Sequence, residues 1–144
     1  MIEHIWTVAC TRSVIDKETN NFSLLEILEQ LTIPESPLPE GKITLIPISF
    51  DVVTLWSRAS DNQAARGSAK LLFITPSGKI VGEHEHNVDL TVYSRARTRT
   101  RMAGLPIQEA GRYQFRVQLR HDGETEWRDV ATVPLQISFD PVEG

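Results

Sequence analysis

A chain of 144 residues with 40% hydrophobic content is long enough for one domain to bury a proper core without a disulfide or metal staple. Its net charge of −4 and sequence pI near 5.5 describe an ordinary acidic chain and weigh against nucleic acid as the main partner. The single cysteine, Cys10, excludes an intrachain disulfide, which fits a reducing cytoplasm. No run approaches the apolar length of a membrane span, and Met1 to Trp6 lack the basic start and apolar core of a signal peptide.

Residues 4 to 12 alternate, with Trp6, Val8 and Cys10 against Ile5, Thr7, Ala9 and Thr11. This predicts a strand buried on at least one face, with Cys10 as a buried structural thiol. Asp16 to Asn21 reads as a turn. Two patterns then overlap in Phe22 to Ile33. Leu24, Leu28 and Leu31 have helical spacing, with Ser23 and Glu26 placed as a capping box, whereas Leu25, Ile27, Leu31 and Ile33 share one strand parity. Local propensity favours a short helix; the expected hairpin partner for the first strand favours a strand over 22–33.

Pro34, Pro37 and Pro39 with Gly41 mark a crossover loop that cannot join a ladder. Residues 43 to 58 place Ile46, Ile48, Phe50, Val52 and Trp56 on one parity. They predict a long strand in which Pro47 marks an edge or a bulge and Trp56 is an inner aromatic. Leu71 to Ile74 is apolar on both parities, as in a central strand, and Pro76 to Lys79 is a turn. From Ile80 to Tyr93, one face carries Ile80, Val88, Leu90 and Val92, the other Glu83, Glu85, Asn87 and Asp89. Residues 95 to 103 form a further extended segment.

The last quarter of the chain has the clearest pattern. Tyr113, Phe115, Val117 and Leu119 alternate with Gln114, Arg116, Gln118 and Arg120; after Asp122-Gly123 the alternation resumes in Ala131, Val133, Leu135, Ile137 and Phe139. Two such strands joined by a polar loop predict an antiparallel hairpin. Gly111 stands two residues before Tyr113, the spacing of the tyrosine corner of immunoglobulin-like sandwiches, whose hydroxyl bonds back to the preceding loop. Phe115 occupies the position that is often cysteine in antibody domains. About eight short strands, without internal repeats, predict an all-β chain. The expected architecture is one antiparallel immunoglobulin-like β-sandwich domain over 1–144.

A cysteine-bearing first strand, an acidic-Asn turn, the leucine-rich segment after Ser23, a proline-rich loop and the Gly-x-Tyr-x-Phe-x-Val hairpin ending in Val-Pro-Leu-x-Ile together resemble a family of small bacterial all-β proteins. The resemblance covers nearly the full length and implies a strand over 22–33. That family carries no assigned biochemistry, so the likeness transfers no catalytic residues.

The most unusual local feature is Arg95, Arg97, Arg99 and Arg101, alternating with Ala96, Thr98, Thr100 and Met102. In an extended strand the four guanidinium groups project from one face at intervals of roughly 6.5 to 7 Å. Such a stripe suits phosphates, anionic headgroups or the carboxylates of an acidic protein segment. The competing reading is a solvated face whose arginines pair across a hairpin with Glu83, Glu85 and Asp89. No aromatic residues interleave the stripe, unlike strands that stack nucleic-acid bases. Charge reversal at Arg97 and Arg99 is expected to remove partner binding without unfolding.

His84-Glu85-His86 places two imidazoles on one face and, with Gly78, matches the opening of the cupin metal motif. The following glutamate and the second motif are missing, so structural histidines are the stronger expectation; His4 and His121 are the remaining candidates for a third ligand. No Gly-x-Ser-x-Gly turn, P-loop or dinucleotide fingerprint occurs. The expectation is a non-enzymatic cytoplasmic interaction module without cofactor or membrane. Its expected partner is a protein or another anionic molecule on the arginine face. A metal-dependent cupin-like enzyme using His84 and His86, or a homo-oligomeric subunit, is the alternative.

Overall fold

The computed structural model describes residues 1–34 and 42–140, which contain eleven strands and no helix. In chain order these are β1 (Ile2–Ile15), β2 (Phe22–Ile27), β3 (Gln30–Ile33), β4 (Thr44–Ile46), β5 (Phe50–Arg58), β6 (Ala65–Ile74), β7 (Ile80–Leu90), β8 (Arg95–Met102), β9 (Leu105–Ile107), β10 (Gly111–His121) and β11 (Arg128–Phe139). No helix among the described residues is long and apolar enough to cross a membrane. The crossover read from Pro37, Pro39 and Gly41 falls outside the described residues.

The strands form a four-stranded sheet in the order β2-β1-β5-β8, a five-stranded sheet in the order β3-β11-β10-β6-β7 that curls into a half-barrel, and a two-stranded ribbon of β4 and β9. All pairings are antiparallel except that of β3 with β11. The inner faces of the two larger sheets share one core: Ala9, Val52 and Trp56 come from one sheet, Phe73, Tyr113, Val117, Leu119 and Leu135 from the other. Phe50 meets Phe115 across the gap at 5.8 Å between ring centroids. Buried aromatic rings of this kind add a large apolar area to a core that is otherwise mostly aliphatic.

The terminal hairpin forms as its alternation predicts. Tyr113 lies opposite Leu135, Phe115 opposite Val133 and Val117 opposite Ala131, and a register shift follows Val117. At the start of β10 the Tyr113 hydroxyl donates to the Glu109 carbonyl at 2.6 Å and accepts the amides of Gln108 and Glu109, each at 3.0 Å. One buried side chain thereby satisfies three backbone groups of a loop that has no ladder of its own. Gly111 makes the bend possible. Its φ of 134° is unfavourable for other residues, and a Cβ there would meet Pro76 at 2.9 Å.

Three expectations change. Residues 22–33 are extended, not helical, but they form two strands in different sheets rather than one. Between them Leu28 is buried, and its amide donates to the Ala9 carbonyl at 2.7 Å, so the chain crosses sheets with its apolar side chain plugging the core. The long strand of residues 43–58 breaks at Pro47, which has no amide to offer a ladder; β4 leaves to pair with β9 while β5 joins β1. Finally, β7 ends at Leu90, and the expected inward residues Ile80 and Val92 are 52% and 77% exposed.

Candidate functional site

Among the described residues, β8 is an edge strand, hydrogen-bonded to β5 and to no other strand. Its register sets Arg95, Arg97, Arg99 and Arg101 opposite Ser57, Leu55, Val53 and Asp51. Since the inward residues of β5 include Val52 and Trp56, the four arginines lie on the outer face. Their neighbours on β5 supply one carboxylate for four guanidinium groups.

The expected pairing with Glu83, Glu85 and Asp89 does not form, because β7 belongs to the other sheet. There Glu83 faces Lys70 at 3.2 Å and Asp89 faces Arg66 at 3.4 Å. The arginines instead have four different environments. Arg101 approaches Asp51 at 3.7 Å. Arg99 donates to the Ser13 hydroxyl at 3.3 Å. Arg97 donates to the Asn20 carbonyl at 2.8 Å and stacks 4.1 Å from the Phe22 ring centroid. Arg95, among the described residues, makes no hydrogen bond or ion pair.

These contacts show that the β1–β2 hairpin bends over the outer face of its own sheet. Beneath it Cys10 and Val53 are inaccessible to solvent, as is most of Ser13 and Asp51. Asp51 anchors the bend, accepting the Ser13 hydroxyl at 2.7 Å and the Ser13 amide at 3.2 Å. Burial, with the Asp51 charge adding to it, pushes the Cys10 thiol up, which fits a structural thiol and not a nucleophile. In the turn, Asp16 accepts the amides of Glu18 and Thr19, and Asn20 adopts a left-handed φ of 59°.

The bent hairpin and the β7–β8 loop enclose a surface groove of about 800 Å³. Trp6, Phe22 and Leu55 supply apolar and aromatic surface, Asn20, Asn21 and Ser94 polar groups, and Tyr93 with Arg95 and Arg97 one rim. Tyr93 is 74% exposed. Among the described residues, no carboxylate lines this groove. Burial draws the Arg97 guanidinium below the ordinary arginine range, and the Arg95 charge adds to the effect. Two like charges therefore stand together with no compensating acid at the site.

The stripe was legible as a repeat, but its partners were not. Trp6, Phe22 and Tyr93 supply, from other elements, the aromatic surface that β8 itself lacks. Register gives the reason: Trp6 pairs with Leu55, and Leu55 with Arg97, so all three form one row across three strands.

The two histidines of the His84-Glu85-His86 segment diverge. His84 is exposed, whereas His86 is half-buried and bonds the Thr100 hydroxyl at 2.7 Å across the seam between β7 and β8. Burial lowers the pKa of His86, with the His84 charge adding to it. His4 engages Thr7 at 2.7 Å and the edge of Trp56, while His121 accepts the Ile2 amide at 2.9 Å. The structure therefore does not gather the four histidines, and among the described residues no three His, Cys, Asp or Glu side chains are placed to hold a metal ion. Comparison with protein-family models and with curated proteins found no match for this chain.

Proposed function

We propose that the protein is a non-enzymatic cytoplasmic interaction module, built on an immunoglobulin-like β-sandwich, that binds an anionic protein partner through the Arg95–Arg97 end of its arginine strand. The observation that carries this reading is the groove beside β8, where two guanidinium groups share an aromatic-walled cleft without any lining carboxylate. Guanidinium forks bind carboxylates in pairs, and partial exclusion of water strengthens each contact. The sandwich reading is supported by two facing sheets over one core and by the bonds of Tyr113 to its loop.

Affinity capture from host lysate, with and without nuclease, tests the reading when wild type is compared with Arg95→Glu. Arg95 is exposed and its side chain bonds no other side chain or backbone group among the described residues, so its reversal should leave the fold intact. A protein recovered by wild type and lost from the variant supports the module; identical recovery by both removes the groove from function.

A second reading is favoured by a separate observation. Among the described residues, β2 is an edge strand paired with β1 alone, and its Leu25 and Ile27 are 40% and 57% exposed; copies of a chain associate through such edges. Light scattering of wild type against Leu25→Lys distinguishes a dimer through this edge from a monomer.

A further inference from the structure

We infer that the groove takes an extended acidic segment of a protein partner carrying two carboxylate side chains two residues apart and, beside them, one large apolar side chain. This rests on the reading of the groove as an anionic-partner site and specifies what occupies it.

The charge spacing comes first. Arg95 and Arg97 are alternate residues of one strand, so their stems leave the sheet roughly 6.5 to 7 Å apart. Alternate side chains of an extended ligand have the same spacing. A Glu-x-Glu or Asp-x-Asp segment laid along β8 therefore meets both guanidinium groups without bending.

The two arginines differ in preparation. Arg97 is already fixed by the Asn20 carbonyl and the Phe22 ring, which lowers the ordering cost of using it, while Arg95 is exposed and able to close on the ligand.

The apolar requirement follows from the row that crosses the sheet. Moving from Arg97 through Leu55 to Trp6 covers two strand spacings, roughly 10 Å, and both end residues line the same groove. Tyr93 lines the same groove and is 74% exposed. An aromatic or leucine side chain placed one to three residues from the acidic pair reaches this surface.

A long polyanion fits less well. Beyond the groove Arg99 and Arg101 are already engaged by Ser13 and Asp51, and the chain as a whole carries a net charge of −4, whereas a short segment with two carboxylates uses the Arg95–Arg97 pair alone.

An array of short synthetic peptides, with acidic and apolar positions permuted, tests the inference by fluorescence polarisation on the full chain; oligothymidine serves as a polyanion control. Peptides that combine Glu-x-Glu with a nearby Phe or Leu are expected to bind at least about tenfold more tightly than peptides with either feature alone. Arg95→Glu should remove this binding, and Tyr93→Ser, at an exposed rim position, should weaken it severalfold and only for peptides with the apolar residue. Acid-only peptides binding equally well overturn the inference while leaving the anionic-partner reading in place. Tighter binding of oligothymidine also overturns it. Absence of any Arg95-dependent binding overturns both.

Discussion

Arg97 lies with its guanidinium 4.1 Å from the centroid of the Phe22 ring, joining an edge strand, near its start, to the far end of the first hairpin. The two residues are distant in sequence, and the contact is the visible sign that β1 and β2 fold back over their own sheet. The consequence for mutagenesis is direct. Reversal of Arg97 and Arg99, which the sequence offered as a clean test of binding, also removes the contacts that hold this hairpin.

The first prediction separates the two roles. Arg97→Glu should destabilise the hairpin by about 1 to 2 kcal/mol through loss of the ring contact and the Asn20 bond, and Phe22→Ala by a similar amount. Amide hydrogen exchange should accelerate over residues 16–22 in both variants. Arg95→Glu should leave those rates unchanged. Equal protection in wild type and Arg97→Glu would show that the hairpin is held by other contacts.

Tyr113→Phe removes one hydroxyl and leaves three backbone partners without it. Two are the amides of Gln108 and Glu109, so the cost exceeds that of a single exposed bond and should be about 1 to 3 kcal/mol. Thermal unfolding is expected to show a Tm lower by roughly 3 to 10 °C for a chain of this size. An unchanged Tm would mean that water replaces the hydroxyl without cost.

The terminal hairpin was legible because every second residue from Tyr113 to Leu119 is apolar and all four are buried. The Gly111-to-Tyr113 spacing likewise marked a tyrosine whose hydroxyl bonds back to the preceding loop. Residues 22–33 were harder for a physical reason. Leu24, Leu28 and Leu31 have helical spacing, yet Leu28 is buried at a crossing between sheets, and a crossing has no sequence period. The groove was half legible. A strand repeat reveals Arg95 and Arg97, but Trp6 and Phe22 reach them only through register and through the bend in β1, both set by long-range packing. Asp51 gave no signal at all, since a carboxylate between Phe50 and Val52 reads as an ordinary outward position.

Acid should weaken the fold before carboxylates begin to protonate. Burial lowers the folded-state pKa values of His4 and His86 below the ordinary histidine value. The unfolded chain therefore binds protons more readily, at a pKa of about 6.5, and stability rises with pH through this region. The contribution of the neutral imidazoles is full above the unfolded value and is lost as pH falls through it toward the folded values. Tm measured from pH 7.5 down to 5 should decline, and His86→Gln, which keeps a polar group near Thr100, should flatten the decline. A pH-independent Tm in wild type would contradict the burial of both rings.

Asp51 provides the sharpest test of the bent hairpin. Its Oδ2 accepts both the amide and the hydroxyl of Ser13, and its Oδ1 faces Arg101 at 3.7 Å. Asp51→Ala strands a buried amide and removes the one carboxylate opposite the arginine stripe, with an expected loss of about 2 to 4 kcal/mol. Asp51→Asn keeps an acceptor for Ser13 and should cost about half as much. Ser13→Ala removes the hydroxyl alone. If Asp51 acts mainly through Ser13, a double-mutant cycle should return a coupling of about 1 kcal/mol or more, and additive effects would assign the role of Asp51 to the arginines instead. Either result bears on the groove, because the same bend that buries Asp51 carries Asn20 and Phe22 to Arg97.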